Sequence, residues 1–201
     1  WPATCVAADR PPVLSPVVAG CWRLAEWGWD VAERVRWIEQ ALALGVISFD
    51  HVDIYGGYTV EALFGEALAA VPGLRERLQI VTKCGIKLVS PARPAHAVHA
   101  YDSSSAHVTA SVEQSLQALR TDRIDLLLIH RPDALMEPAE LAACFDGLQR
   151  AGKVLSFGVS NHAPSQLARL HRRFALVTNQ VEFSPLQMAA LADGTLDQCA
   201  D

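Results

Sequence analysis

Six short apolar runs, separated by stretches of helical periodicity, constrain this chain more than any other feature. They are "SPVVAG" (15–20), "VISF" (46–49), "LQIVT" (78–82), "IDLLLIH" (124–130), "VLSFGVS" (154–160) and "ALVTNQVEF" (175–183). The runs are continuous rather than alternating, as expected for parallel strands buried on both faces. Between them the helix signals are local and specific. Asp30 and Glu33 form a capping box ahead of Val31, Val35, Ile38 and Leu42, and Gly45 supplies the stop. Thr59 precedes Leu63, Phe64, Ala67 and Leu68, which share one stripe. Ser104 or Ser105 caps a helix carrying Val108, Val112, Leu116 and Leu119. Pro138 and Pro164 each suit a first helical position.

Repeated βα units leave two architectures, a doubly wound sheet and a (β/α)₈ barrel. The first βα turn lacks a GxGxxG, which counts against the first. Polar residues stand instead at the ends of several strands: Asp50, Lys83, His130, Ser160, Asn161 and Gln180. Barrel enzymes assemble their sites in that way, so the expected fold is an α/β (β/α)₈ TIM barrel. A complete barrel takes about 250 residues. The expectation is therefore one barrel domain over residues 1–201, C-terminally incomplete, with six of eight units. The segment from Cys84 to Ser104 is expected to be an extended loop over one face.

Composition narrows the function classes. The formal charge of −5 lacks the basic excess of a general nucleic-acid binder. No apolar run approaches the roughly 18 residues that span a bilayer. Cys5, Cys21, Cys84, Cys144 and Cys199 form no CxxC pair, which suits reduced, mostly packed thiols in a cytoplasmic protein rather than a disulfide framework. Cys84 beside Lys83 is read as a packed residue before an oxidation-sensitive one.

The strand ends bring a carboxylate, a lysine and a histidine towards Tyr55. A free phenol has a pKa of about 10, and a neighbouring ammonium favours its anion. Lys83 can supply that charge and Asp50 can hold Lys83 charged, while His130 can hydrogen-bond a substrate oxygen. Such a group suits protonation of a carbonyl oxygen while hydride arrives at carbon from a cofactor. His51 and Asp53 also form an HxD pair, but a metal site needs several converging ligands, and proton transfer explains the neighbourhood better. Trp22, Trp27 and Trp29 could line an apolar pocket or cap the rim.

In order and spacing, "FDHVDIYGGY", "IVTKCG", "IDLLLIHRPD", "GKVLSFGVSNH" and "NQVEFSPL" resemble the aldo-keto reductase superfamily, and within it the bacterial YdhF-type oxidoreductases. The likeness runs from about Val17 to the end. It implies NADP(H)-dependent reduction of an aldehyde or ketone, with NAD(H) as the alternative nucleotide. Tyr55 would be proton donor, Lys83 would lower its pKa, Asp50 would partner Lys83, and His130 would orient substrate. Ser160, Asn161 and Gln180 would hold the nicotinamide carboxamide, with Asp50 also among the cofactor contacts. Phe183 would fall where members stack an aromatic ring, often Tyr, on the nicotinamide. Gly20 and Trp22 would contact cofactor and substrate. The implied partner is a small carbonyl compound, with no nucleic acid, membrane or protein partner indicated. The same scaffold also serves as a nucleotide-binding regulatory or sensor protein in potassium-channel β-subunits, and a metal-dependent barrel hydrolase is a third reading.

Overall fold

A computed structural model describes residues 13–200. Cys5 lies outside the described residues. All six expected strands form, in a single parallel sheet: β1 (Ala19–Gly20), β2 (Ser48–Asp50), β3 (Gln79–Cys84), β6 (Ile124–Ile129), β7 (Val154–Ser160) and β8 (Asn179–Gln180). Their order across the sheet is their order in the chain, with no reversal. A doubly wound sheet would reverse at a switch point, so this sheet winds one way and curls into a half-barrel. Helices α1 (Val31–Ala43), α2 (Val60–Ala70), α3 (Ser105–Leu119), α4 (Pro138–Arg150) and α5 (Pro164–His171) each contact the next along its outside. Two short helices, α6 (Ala189–Ala192) and α7 (Thr195–Ala200), follow.

The helix boundaries follow their local signals. Asp30 accepts from the Glu33 N–H at 2.8 Å, and Glu33 returns the bond to the Asp30 N–H at 2.9 Å. Ser104, rather than Ser105, caps α3 through the His107 N–H. Two strands are much shorter than their apolar runs. At the first, Pro16 has no N–H to give, and the Ser15 hydroxyl bonds the Ile47 and Ser48 amides instead of a backbone ladder. At the last, regular strand pairing to β7 is confined to Asn179 and Gln180, although the Val177 N–H still donates to the Phe157 carbonyl at 2.9 Å. The segment after Cys84 is also more ordered than a plain loop. Ile86–Lys87 (β4) pairs antiparallel with Ala100–Tyr101 (β5), and Lys87 is ion-paired with Asp102.

The period of two along each strand sorts the core. Phe49, Ile80, Leu127, Ile129, Phe157 and Val159 face the helices, where they join the two large apolar clusters. Val81, Leu126 and Leu128 face the other way and pack together inside the curl, with Leu14 against them. Continuing that inner alternation to the strand ends gives Asp50, Lys83, His130 and Ser160. The same parity that fills the barrel interior therefore delivers its polar rim. Trp27, Trp29 and Trp37 cluster, with Trp29 tilted at 4.5 Å and Trp37 edge-on at 5.6 Å from Trp27, and Trp37 continues edge-on to Phe49 at 5.4 Å. They seal one flank of the fold and do not line the cleft described next.

Candidate active site

A cleft of about 240 Å³ opens at the C-terminal ends of the strands, walled by Asp50, Tyr55, Lys83, His130, Ser160, Asn161, Gln180, Val181 and Glu182. At its base Lys83 Nζ donates to Asp50 Oδ1 at 2.6 Å and to the His51 carbonyl at 3.2 Å. Lys83 is 3% exposed, so its charge depends on that carboxylate. Burial lowers the Lys83 pKa and Asp50 works against the shift.

Tyr55 begins a single 3₁₀ turn over Tyr55–Gly57. Gly56 and Gly57 both have positive φ, 59° and 66°, a geometry that glycine adopts without a Cβ clash. The ring lies 6.0 Å from Lys83 Nζ and 6.3 Å from the Trp22 ring, nearly parallel to the latter. The phenol is pushed up to about 12, first by burial and then by the charges of Asp50 and Cys21. The net shift of the resting phenol is therefore upward, opposite in direction to the lowering expected from Lys83. The lysine's charge is matched by Asp50 at hydrogen-bond distance, and desolvation of the phenol wins. Tyr55 is consequently a neutral, proton-bearing group across the neutral range.

His130 is pushed down to about 4, first by burial, then by Lys83 and Arg131. It is a neutral imidazole at neutral pH, and its Nδ1 is buried with no partner. On the opposite wall, Asn161 has φ of 55°, donates from Nδ2 to Ser160 Oγ at 3.0 Å and accepts the Glu182 N–H at 3.2 Å. Gln180 is exposed at the mouth. Ser160, Asn161 and Gln180 offer hydroxyl and amide groups, both donors and acceptors, a set that fits a carboxamide.

Several expected contacts fall elsewhere. Phe183 is 53% exposed and outside the cleft wall. Gly20 and Trp22 are also outside it, although Gly20 pairs with Asp50 across the sheet and Trp22 touches Tyr55. His51 and Asp53, the HxD pair, lie in the loop that follows β2 and are both buried. The His51 ring lies edge-on to Phe64 at 4.5 Å and is held neutral, near a pKa of about 3, by burial. No group of three potential metal ligands converges among the described residues. Val181, Glu182 and the His51 carbonyl were not foreseen. The last acts through its backbone, which no residue type announces. Among the described cysteines, Cys21, Cys84 and Cys144 are buried free thiols, and Cys199 is exposed. No helix among the described residues is long and apolar enough to cross a membrane.

The chain is 53% identical to the uncharacterized oxidoreductase YcsN of Bacillus subtilis over 190 residues, covering 94% of this chain and 63% of that protein. It is 51% identical to the oxidoreductase YdhF of Escherichia coli, covering 95% and 64%. It is also 42% identical to a 6-dehydroglucose reductase of Agrobacterium fabrum, covering 91% and 63%. The glycerol dehydrogenase AKR11B4 of Gluconobacter oxydans superposes with a TM-score of 0.78 at 31% identity, covering 93% of this chain and 59% of that one. The chain thus spans under two thirds of the length of these relatives. A family model described as the aldo/keto reductase family matches residues 16–200, and the chain belongs to that family.

Proposed function

We propose that this chain carries the proton-transfer half of a nicotinamide-dependent carbonyl reductase, taking NADP(H) and a small aldehyde or ketone. One observation carries the reading: a buried Lys83–Asp50 pair at 2.6 Å shares a single cleft with a protonated Tyr55 and a neutral His130. In this reading residues 1–201 form one domain, the larger part of a (β/α)₈ barrel.

The residues divide the work by their charge states. A bound reduced nicotinamide nucleotide supplies the hydride that no side chain can give. Tyr55 gives its proton to the carbonyl oxygen as negative charge develops there. His130, being neutral, offers an N–H to the same oxygen and helps fix the carbonyl's direction. Lys83, kept charged by Asp50, stabilises the phenolate that remains on Tyr55. Ser160, Asn161 and Gln180 hold the carboxamide of the nucleotide. Stacking by Phe183 and contacts from Gly20 and Trp22 also belong to this proposal, made from positions outside the cleft wall.

The test is an assay of the full chain with NADPH, and separately NADH, against a panel of aliphatic and aromatic aldehydes and ketones. Loss of reduced-nicotinamide absorbance with matching alcohol formation is the expected result. Tight nucleotide binding with negligible turnover across the panel would favour the regulatory or sensor reading instead.

A further inference from the structure

The turn that carries Tyr55 contains three successive residues of left-handed backbone: Gly56, Gly57 and Tyr58, with φ of 59°, 66° and 75°. Glycine enters that region freely, but a bulky aromatic residue does so at a cost. Tyr58 is therefore held there by other interactions, and the structure supplies them from one segment. The Tyr58 hydroxyl accepts the Leu88 N–H at 2.9 Å and lies 3.2 Å from His96 Nδ1. The Arg93 guanidinium stands 4.5 Å from the Tyr58 ring centroid, and Gln114 of α3 holds that guanidinium at 2.7 Å. Ser90 Oγ donates to the Gly57 carbonyl at 3.2 Å. None of Tyr58, Leu88, Ser90, Arg93 and His96 lines the cleft.

Tyr58 is also coupled directly to the residue that does. Its own N–H donates to the Tyr55 carbonyl at 3.1 Å, so a shift of Tyr58 moves the backbone that carries the Tyr55 ring. Tyr55 itself is only half-buried, and its aromatic neighbour Trp22 is 65% exposed and gives a soft wall. The Tyr55 ring packs against the apolar cluster that holds Cys21, Phe49 and Phe64, and the turn that carries it sets where the hydroxyl sits.

We propose that Tyr58 is a positioning residue for Tyr55, clamping the 55–58 turn to the 88–96 segment between β4 and β5 so that the Tyr55 hydroxyl keeps its place beside the Lys83–Asp50 pair. The proposal rests on the reading of Tyr55 as proton donor. An offset of about an ångström at a reacting group can cost on the order of 100-fold in rate, so a clamp remote from the chemistry can govern turnover.

Tyr58→Phe keeps the ring under Arg93 and removes only the oxygen that binds Leu88. In the full chain, kcat per nucleotide-binding site, with sites counted by fluorescence titration of NADPH, is expected to fall about 10-fold. KM for carbonyl and nucleotide should change less than about twofold, and the solvent deuterium effect on kcat should rise as proton transfer becomes limiting. A merely structural role would reduce the number of binding sites and leave kcat per site unchanged; that result overturns the proposal. Should Tyr58→Phe fail to fold, Ser90→Ala carries the test. It removes the bond to the Gly57 carbonyl, with an expected loss of about threefold per site, and an unchanged value there overturns the proposal equally. Tyr55→Phe assayed alongside separates the two readings. Wild-type turnover in Tyr55→Phe would remove the proton donor and the clamp with it, whereas an inactive Tyr55→Phe beside a fully active Tyr58→Phe would remove the clamp alone.

Discussion

Tyr55→Phe is expected to lower kcat for carbonyl reduction by about 10²- to 10⁴-fold, the usual worth of a positioned general acid. Nucleotide affinity should stay close to wild type. The substitution deletes one oxygen and leaves the Trp22 contact and the 2.6 Å Lys83–Asp50 bond as they were. The rate loss would then report the proton and not a collapsed cleft. The pH profile carries the same information. A phenol pushed up to about 12 keeps its proton throughout the neutral range, so ionisation of Tyr55 should not depress activity until pH nears that value. His130, pushed down to about 4, stays neutral above it and gains a proton only below. The activity of the wild-type chain should therefore show no titration of either group between those limits. A Phe variant with undiminished turnover would place the proton elsewhere.

Asp125→Ala is expected to cost about 3–5 kcal/mol of folding stability, the range for removing one partner of a buried ion pair. Asp125 lies on β6 and Arg75 in the turn before β3, and their side chains are 13% and 10% exposed. One carboxylate oxygen accepts both from Arg75 Nη2 at 2.7 Å and from the Ile80 amide of β3 at 2.8 Å. The guanidinium also bonds Thr121 Oγ1 and the carbonyls of Leu78 and Arg123. Truncating Asp125 leaves a buried cation and a strand amide unpaired at the same time. Urea unfolding of the two proteins measures the difference. A loss below about 1 kcal/mol would mean that the pair behaves like a solvated surface bridge.

Much of the fold is written locally. Asp30 with Glu33, Ser104, Pro138 and Pro164 mark helix starts through bonds or angles that involve only their neighbours. Strand ends are less legible, because pairing depends on distant partners. Nothing in "SPVVAG" announces that Ser15 will bond Ile47 and Ser48 in place of a ladder. The candidate site divides in the same way. Asp50, Lys83 and His130 were readable as strand-end polar residues after apolar runs, and the fold brings them into one cleft with Tyr55.

What could not be read depends on surroundings. The direction of the Tyr55 pKa is set by burial, by Asp50 and by Cys21, none of which is evident from "DIYGGY" alone. His51 looks like a polar loop residue beside Asp50 and is in fact fully buried against Phe64. Tyr58 reads as the end of a glycine turn until the 88–96 segment closes on its hydroxyl. Arg75 and Asp125 are ordinary charges until strand pairing places one carboxylate over both a guanidinium and an amide.

The central claim is that the cleft protonates a carbonyl oxygen while hydride arrives at its carbon. Following the label most directly tests it: the full chain is given an aldehyde and NADPH carrying deuterium at the transferable position, in ordinary water. The account predicts an alcohol with one deuterium on the carbinol carbon and a solvent-exchangeable proton on oxygen. An alcohol free of carbon-bound deuterium, or no alcohol at all from nucleotide-saturated protein across the carbonyl panel, would contradict it.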